Sequence, residues 1–149
     1  TSLTTVTLPD DLEFVDGAVF SGCSALKEFK GNNVSADGRC LIHNGVMKGF
    51  APADLTSYTL PDNIESLCNH LFEDFTTISS ITLPSSLRYI GEWCFSECNG
   101  LTSITIPESV ISIAEKAFEG CTALTTITIP ESVMSIGNEA FKGTADLNR

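Results

Sequence analysis

Six cysteines and two histidines are the side chains of this 149-residue chain best suited to bind a metal or to act as nucleophile and base. Structural zinc sites usually pair cysteines at C-x-x-C spacing, and no such spacing occurs here. The histidines, His43 and His70, are solitary, and nothing in the sequence sets either beside a Ser or Cys with a supporting carboxylate. We therefore predict no metal site, no cofactor and no enzymatic activity.

The charge of the chain limits its partners. The net charge is -11, whereas nucleic acids and anionic membranes are bound by clustered Lys and Arg. No apolar run approaches the length of a membrane span. We predict no nucleic-acid partner and no insertion into a membrane, and the sequence leaves self-association open.

A 23-residue repeat positions almost every other feature of the chain. Such a period is typical of solenoids, in which each unit stacks on the next to bury a shared core. We number the positions of a unit from 1 to 23, and we expect the units to form one domain over residues 1–149. The full units are residues 3–25, 55–77, 78–100, 101–123 and 124–146, and residues 26–54 form a sixth, interrupted unit.

The first seven positions of a unit predict a short strand. Positions four and six carry large apolar or aromatic residues, Ile104 and Ile106 in the unit at 101–123, and position five is Thr in all five full units. This alternation is typical of a strand with one buried face. Position seven is always Pro, such as Pro107, and a residue without an amide hydrogen ends a strand.

The rest of the unit predicts a return path with a different period. Apolar residues recur at positions seventeen and eighteen, and we expect them in the core. Examples are Val19 in the unit at 3–25 and Ala117 in the unit at 101–123. We expect turns with a short helical or 3-10 piece around Glu115 to Glu119. Position eighteen is Phe in every full unit and predicts a continuous buried column: Phe20, Phe72, Phe95, Phe118 and Phe141.

The interruption in the second unit predicts a β-hairpin. Residues 39–43 and 46–50 flank Asn44 and Gly45, a strong signal for a two-residue turn. We expect this hairpin to project from the edge of the array. Tyr58 lies at the internal position four of the next unit, so its hydroxyl needs a partner, which we expect in the hairpin region.

The cysteines mostly occupy columns of the repeat. Cys23, Cys98 and Cys121 share position twenty-one, where the other full units have Phe75 and Thr144. This column behaves as a small apolar site, which favours buried free thiols. The alternative is a disulfide between Cys98 and Cys121, because adjacent strands lie about 4.8 Å apart.

The repeated letters resemble a known family. The pattern L-x-x-I-x-I-P, followed by SV, I, AF and a Gly-Cys turn, resembles the BspA-type leucine-rich repeats of bacterial surface proteins. The resemblance implies an α/β leucine-rich-repeat solenoid, right-handed, with one parallel sheet, short strand, 3-10 or helical return segments and one inserted hairpin. Thr1 and Leu147 fit neighbouring units, so we expect a fragment of a longer array.

Two surfaces are candidates for binding. One is the outer side of the strands at positions three and five, which we call the strand face; the other is position sixteen, with His70 and Trp93. Thr also suits any half-exposed strand, and a Trp often only covers a gap in the core, so a structural role for each stays open. The strand face consists of Thr5, Thr7, Ser57, Thr59, Ser80, Thr82, Ser103, Thr105, Thr126 and Thr128.

The resemblance also implies a function. It points to a non-catalytic recognition or adhesion module of a secreted or bacterial cell-surface protein, with a host extracellular matrix protein or glycan as partner. The alternative is a structural spacer that holds another domain away from the cell surface.

Overall fold

A computed structural model describes residues 2–12, 15 and 17–144 of the chain. Thr1, Asp146 and Leu147, which entered the expectations above, lie outside these residues. The described part contains one 3-10 helix, Gly17–Phe20, and no α-helix; none of its helices could span a membrane. Its strands are β1 (Thr5–Thr7), β2 (Glu28–Lys30), β3 (Cys40–His43), β4 (Val46–Phe50), β5 (Ser57–Thr59), β6 (Ser66–Leu67), β7 (Ser80–Thr82), β8 (Tyr89–Ile90), β9 (Ser112–Ile113) and β10 (Ser135–Ile136).

The strand predicted at the start of the units is present in four of them, where it forms two parallel pairs, but residues 104–106 and 127–129 form no strand. β1 pairs with β2 and β5 with β7, with Thr5 opposite Glu28 and Ser57 opposite Ser80. A further parallel bridge joins Ser80 to Ser103. Each partner lies 23 residues along the chain, so consecutive units stack in register as successive turns of a solenoid. We call each turn a rung.

The expectation of a single parallel sheet is wrong, because the return path carries a ladder of its own. β6, β8, β9 and β10 pair in parallel at positions twelve and thirteen of their units. Position thirteen points into the core, and Leu67, Ile90 and Ile113 are buried there. Buried backbone needs hydrogen-bond partners, and the neighbouring rungs supply them.

The helical or 3-10 piece expected around Glu115 to Glu119 is also wrong, since this segment forms turns. Lys116 has φ of 56°, in the left-handed region, which interrupts helical dihedrals. The amides donate to the next rung instead. Lys116 N bonds the carbonyl of Asn138 at 3.0 Å, and Phe118 N bonds that of Ala140 at 2.7 Å.

The hairpin is confirmed, but its projection from the array is wrong. β3 and β4 are antiparallel, and the turn residues Asn44 and Gly45 have φ of 50° and 77°. β4 also pairs in parallel with β6, with Met47 opposite Leu67. The hairpin therefore completes the end of the six-stranded sheet, where it buries Met47 and Phe50.

The Phe column is confirmed as core from Phe72 onward, but Phe20 does not continue it, because Phe20 lies in a separate core and contacts Phe29. The rings of Phe72, Phe95 and Phe118 are fully buried and stack at centroid distances of 4.9 Å, with Phe141 5.4 Å beyond and partly buried. Val19 departs from the prediction, with 61% of its surface exposed. In its unit the 3-10 helix replaces the turn found at the same positions elsewhere, so position seventeen does not face the core.

Candidate ligand-binding face

The strand face is open to solvent, as its alternation with the buried positions four and six requires. Nine of its ten residues are exposed, and Ser80 is partly buried. Between them, Ile81, Ile104 and Ile127 are buried. The strands therefore present a row of Ser and Thr hydroxyls outward over an aliphatic core.

The hydroxyls of the strand face differ from other Ser and Thr hydroxyls of the repeat. Ser79 Oγ and Thr102 Oγ1, at position two, donate to main-chain carbonyls of the preceding rung at 3.0 and 3.1 Å. Ser109 Oγ, at position nine, donates to the carbonyl of Leu87. Among the residues that the structure describes, the ten strand-face hydroxyls make no hydrogen bond to one another or to any other group. They keep their full capacity to donate to and accept from a ligand.

Two adjoining depressions bring six of these ten residues together. One, of about 320 Å³, is lined by Ser80, Thr82, Ser103 and Thr105. The other, of about 290 Å³, shares Ser103 and Thr105 and adds Thr126 and Thr128. The remaining four residues line neither depression: Thr5, Thr7, Ser57 and Thr59.

A row of acidic side chains borders the strand face, and the sequence reasoning missed it. Position eight follows the strand-ending Pro. In the four consecutive full units from residue 55 onward it holds Asp62, Ser85, Glu108 and Glu131, and the three acids are exposed. In the first unit it holds Asp10. Glu108 lines the second depression. Reading position eight as a column, as was done for position five, would have found this row.

The second candidate surface, position sixteen, forms a stack along the return side. The rings of His70 and Trp93 are parallel within 9°, at a centroid distance of 5.1 Å, and Lys116 Nζ lies 5.5 Å from the Trp93 ring. His70 Nδ1 contacts Glu73 Oε2 at 2.6 Å, and Lys116 pairs with Glu139 at 3.6 Å. Neighbouring rungs flank Trp93 on both sides, which favours a role in joining rungs over stacking on a ligand.

The thiols are free, and the bridge considered between Cys98 and Cys121 is not formed. Cys98 Sγ donates to the carbonyl of Phe72 at 2.9 Å, and Cys121 Sγ to that of Phe95 at 3.0 Å. Burial raises the pKa of Cys121 to about 12 and also raises that of Cys98. Cys98 and Cys121 are therefore neutral thiols that each bond the preceding rung, which disfavours nucleophilic chemistry at these two residues.

Tyr58 finds its partner in the inserted segment, as expected. Its hydroxyl donates to Asp37 Oδ2 at 2.6 Å and lies 3.3 Å from Cys40 Sγ. Burial acts to raise the pKa of Asp37, but hydrogen bonds from Ser35, Tyr58 and the Arg39 amide together hold this pKa below its ordinary value. Within the described ranges, no group of three or more His, Cys, Asp and Glu is placed to hold a metal ion.

Comparisons with known proteins agree with the repeat. Six copies of the BspA type leucine rich repeat region match residues 1–37 and 47–149. A search of curated proteins gives no significant match.

Solved structures of bacterial leucine-rich repeat proteins have the same fold. The pneumococcal vaccine antigen PcpA superposes with a TM-score of 0.84 at 22% identity, over 95% of this chain and 37% of that one. A leucine rich cell surface protein from Faecalibacterium prausnitzii A2-165 gives 0.78 at 23% identity, over 95% and 40%. A leucine-rich repeat protein from Bacteroides ovatus gives 0.61 at 24%, over 98% and 33%. The chain thus spans less than half the length of each of these three proteins.

Proposed function

Because this chain belongs to the BspA-type leucine-rich repeat family, we propose that it is a non-catalytic recognition module of a secreted or cell-surface bacterial protein. Its strand face binds a host extracellular protein or a glycan. Two structural neighbours, a cell surface protein and a vaccine antigen, support the location by their descriptions.

The unused hydroxyls of the strand face are the observation that carries the proposal. This solenoid uses Ser and Thr hydroxyls at positions two and nine for hydrogen bonds between rungs. The strand-face hydroxyls make no hydrogen bond to any described residue, and six of them line two adjoining depressions. A regular array of unpaired donors and acceptors suits a ligand rich in hydroxyl or amide groups.

Binding of the purified chain to arrayed extracellular matrix proteins and glycans tests this proposal. We expect saturable binding that is lost in the double variant Thr82→Lys and Thr105→Lys, since two long cations would fill the first depression. Met134→Lys with Asn138→Lys is the matched control, because these residues are exposed on the return side. Circular dichroism establishes that both variants fold. Binding that survives in the strand-face variant, or is lost equally in the control, would refute the strand face as the site.

A spacer is the second candidate function, and the continuous Phe stack favours it. Rings 4.9 Å apart along successive rungs make the array a single packed column, as a stiff spacer requires. Absence of binding to every member of the panel, by a chain shown to be folded, would favour the spacer over recognition.

A further inference from the structure

We call the consecutive full units at residues 55–144 the regular stack. Its basic residues are distributed unequally between the strand side, positions one to ten, and the return side, positions eleven onward. The first ten positions of its four units, residues 55–64, 78–87, 101–110 and 124–133, contain three acidic residues and no Lys, Arg or His. The described basic residues of this stack, Arg88, Lys116 and Lys142, all belong to the return side, positions eleven onward. Within these four units the strand face is therefore uncharged and bordered by acidic residues alone, whereas in the first unit Thr5 and Thr7 lie opposite Glu28 and Lys30.

The bordering carboxylates differ from the return side in that no cation lies among them. Most described acids of the return side are unpaired as well, and the exceptions are Glu73 and Glu139. On the return side, Glu73 contacts His70, and Glu139 pairs with both Lys116 and Lys142. Among described residues, Asp62, Glu108 and Glu131 take part in no ion pair. These three carboxylates have no cation of their own. They share one repeat position, with Ser85 in the rung between Asp62 and Glu108.

We propose that the strand face docks an extended, cationic segment of a protein partner. The inference rests on the proposed function and names its ligand class. The strand-face hydroxyls bond the peptide groups of the segment, which offer a donor and an acceptor at each residue. Its Lys or Arg side chains reach the row formed by Asp62, Glu108 and Glu131. Opposite charges across an interface give specificity and speed association.

The spacing of the strands suits an extended chain. Neighbouring rungs lie about 4.8 Å apart, and alternate residues of an extended segment lie about 6.8 Å apart on one face. Long, flexible Lys and Arg side chains accommodate this difference between the two spacings. An anionic or sulfated glycan would instead meet a border of like charge, which disfavours it.

Fluorescence anisotropy with two labelled octapeptides tests the charge preference. One alternates Lys and Thr, and the other alternates Glu and Thr. We expect saturable binding of the Lys peptide and none of the Glu peptide. Raising NaCl from about 20 to about 300 mM should weaken the binding, because exposed charges are screened over this range.

A pair of charge-matched triple variants assigns the effect to the row. One triple variant combines Asp62→Asn, Glu108→Gln and Glu131→Gln. Its affinity for the Lys peptide should fall about tenfold at low salt, as expected for the loss of three exposed ion pairs. Glu65→Gln, Glu92→Gln and Glu115→Gln remove the same charge from the return side and should change affinity less than about twofold. Equal loss in the two variants, or equal binding of both peptides, would overturn the cationic segment.

The earlier double variant separates this inference from the proposed function. Suppose that a panel member binds, that Thr82→Lys with Thr105→Lys abolishes this binding, and that the strand-side triple variant does not alter it. The strand face then remains the site, and the cationic segment is wrong. If Thr82→Lys with Thr105→Lys weakens neither the binding of a panel member nor the binding of the Lys peptide, both proposals fail.

Discussion

The regular stack, residues 55–144, and the region before it, residues 2–54, use one repeat plan but hold together by different means. In the regular stack, like residues meet like residues one rung apart, and Phe72, Phe95 and Phe118 stack face to face. The earlier region has a smaller core of its own, with six buried members among its described residues. There Phe20 meets Phe29 edge to face at 5.0 Å, and the described rings form no further column.

The hairpin joins these two regions through contacts that occur once. Cys40, Met47 and Phe50 belong to the core of the regular stack, while Leu41 and Ala51 belong to the smaller core. Phe50 ends the ring column at a tilt, 67° from the plane of Phe72. Repetition therefore stabilises one region, whereas singular contacts of unlike residues stabilise the other. Mutations should show this difference.

The largest effect is expected for Phe118→Ala in the regular stack. Phe118 is fully buried between Phe95 and Phe141, so truncation leaves a cavity and should cost about 3 to 5 kcal/mol of unfolding free energy. Urea denaturation measures this loss. Phe20→Ala, at the same repeat position but in the smaller core and 9% exposed, should cost less. Equal losses would show that ring stacking adds nothing to the regular stack.

A smaller loss is expected for Arg39→Met in the hairpin. Arg39 Nη1 donates to the carbonyls of Ala51 and Ala53 at 3.0 and 2.8 Å, and hydrogen bonds to a charged group are worth about 1.5 to 3 kcal/mol. We expect a loss of about 2 kcal/mol and faster hydrogen exchange of the Ala53 amide. The Phe95 amide, which bonds within the regular stack, serves as the internal control. Faster exchange at both amides would mean that the two regions open together.

Tyr58→Phe should cost about 1 kcal/mol at pH 7, because it removes one hydrogen bond to an exposed carboxylate. The pKa of Asp37 is lowered in the folded protein, so its contribution to stability is complete above about pH 4 and is lost as the pH falls through that lowered pKa. The difference between wild type and variant should therefore shrink at low pH.

Urea denaturation at pH 7 and in acid, with NMR titration of the Asp37 carboxyl, checks this expectation. Tyr89→Phe is the control, since the Tyr89 side chain is exposed and its hydroxyl bonds no described residue. A loss for Tyr58→Phe that stays constant down to acid pH would contradict the link to Asp37.

The smallest effect is expected for Lys116→Met in the position-sixteen stack. A partly exposed cation–π contact and one partly exposed ion pair contribute about 1 kcal/mol in total. Trp93 is the single tryptophan, so its fluorescence emission should change while the urea midpoint moves little. A loss comparable to that of Phe118→Ala would make this stack a main support of the fold.

The repeat pattern allowed much of the fold to be predicted, and each miss has a physical reason. The strand at the start of the unit was predictable because it alternates over several residues, and it is present in four units but not at 104–106 or 127–129. The ladder at positions twelve and thirteen was not, since two-residue strands such as Ser66–Leu67 show no period. Val19 was misjudged because its unit alone forms a 3-10 helix.

The sequence predicted which residues of the candidate site face outward, but its list of the site's residues was incomplete. Alternation alone set Thr82 and Thr105 outward. It did not reveal that position-two hydroxyls such as that of Ser79 are used between rungs while those of the strand face are not. Nor did it join Glu108 to the strand face, because position eight lies beyond the Pro that ends the strand.

The sequence by itself determined the period, the strand, the Pro that ends it and the buried Phe column, since these depend on local periodicity repeated at 23 residues. Only the tertiary structure decided how the hairpin pairs, which hydroxyls remain unused and what flanks Trp93. Those outcomes depend on which groups of neighbouring rungs come within hydrogen-bonding or stacking distance. Register across rungs is a property of the stacked molecule, and no single unit contains it.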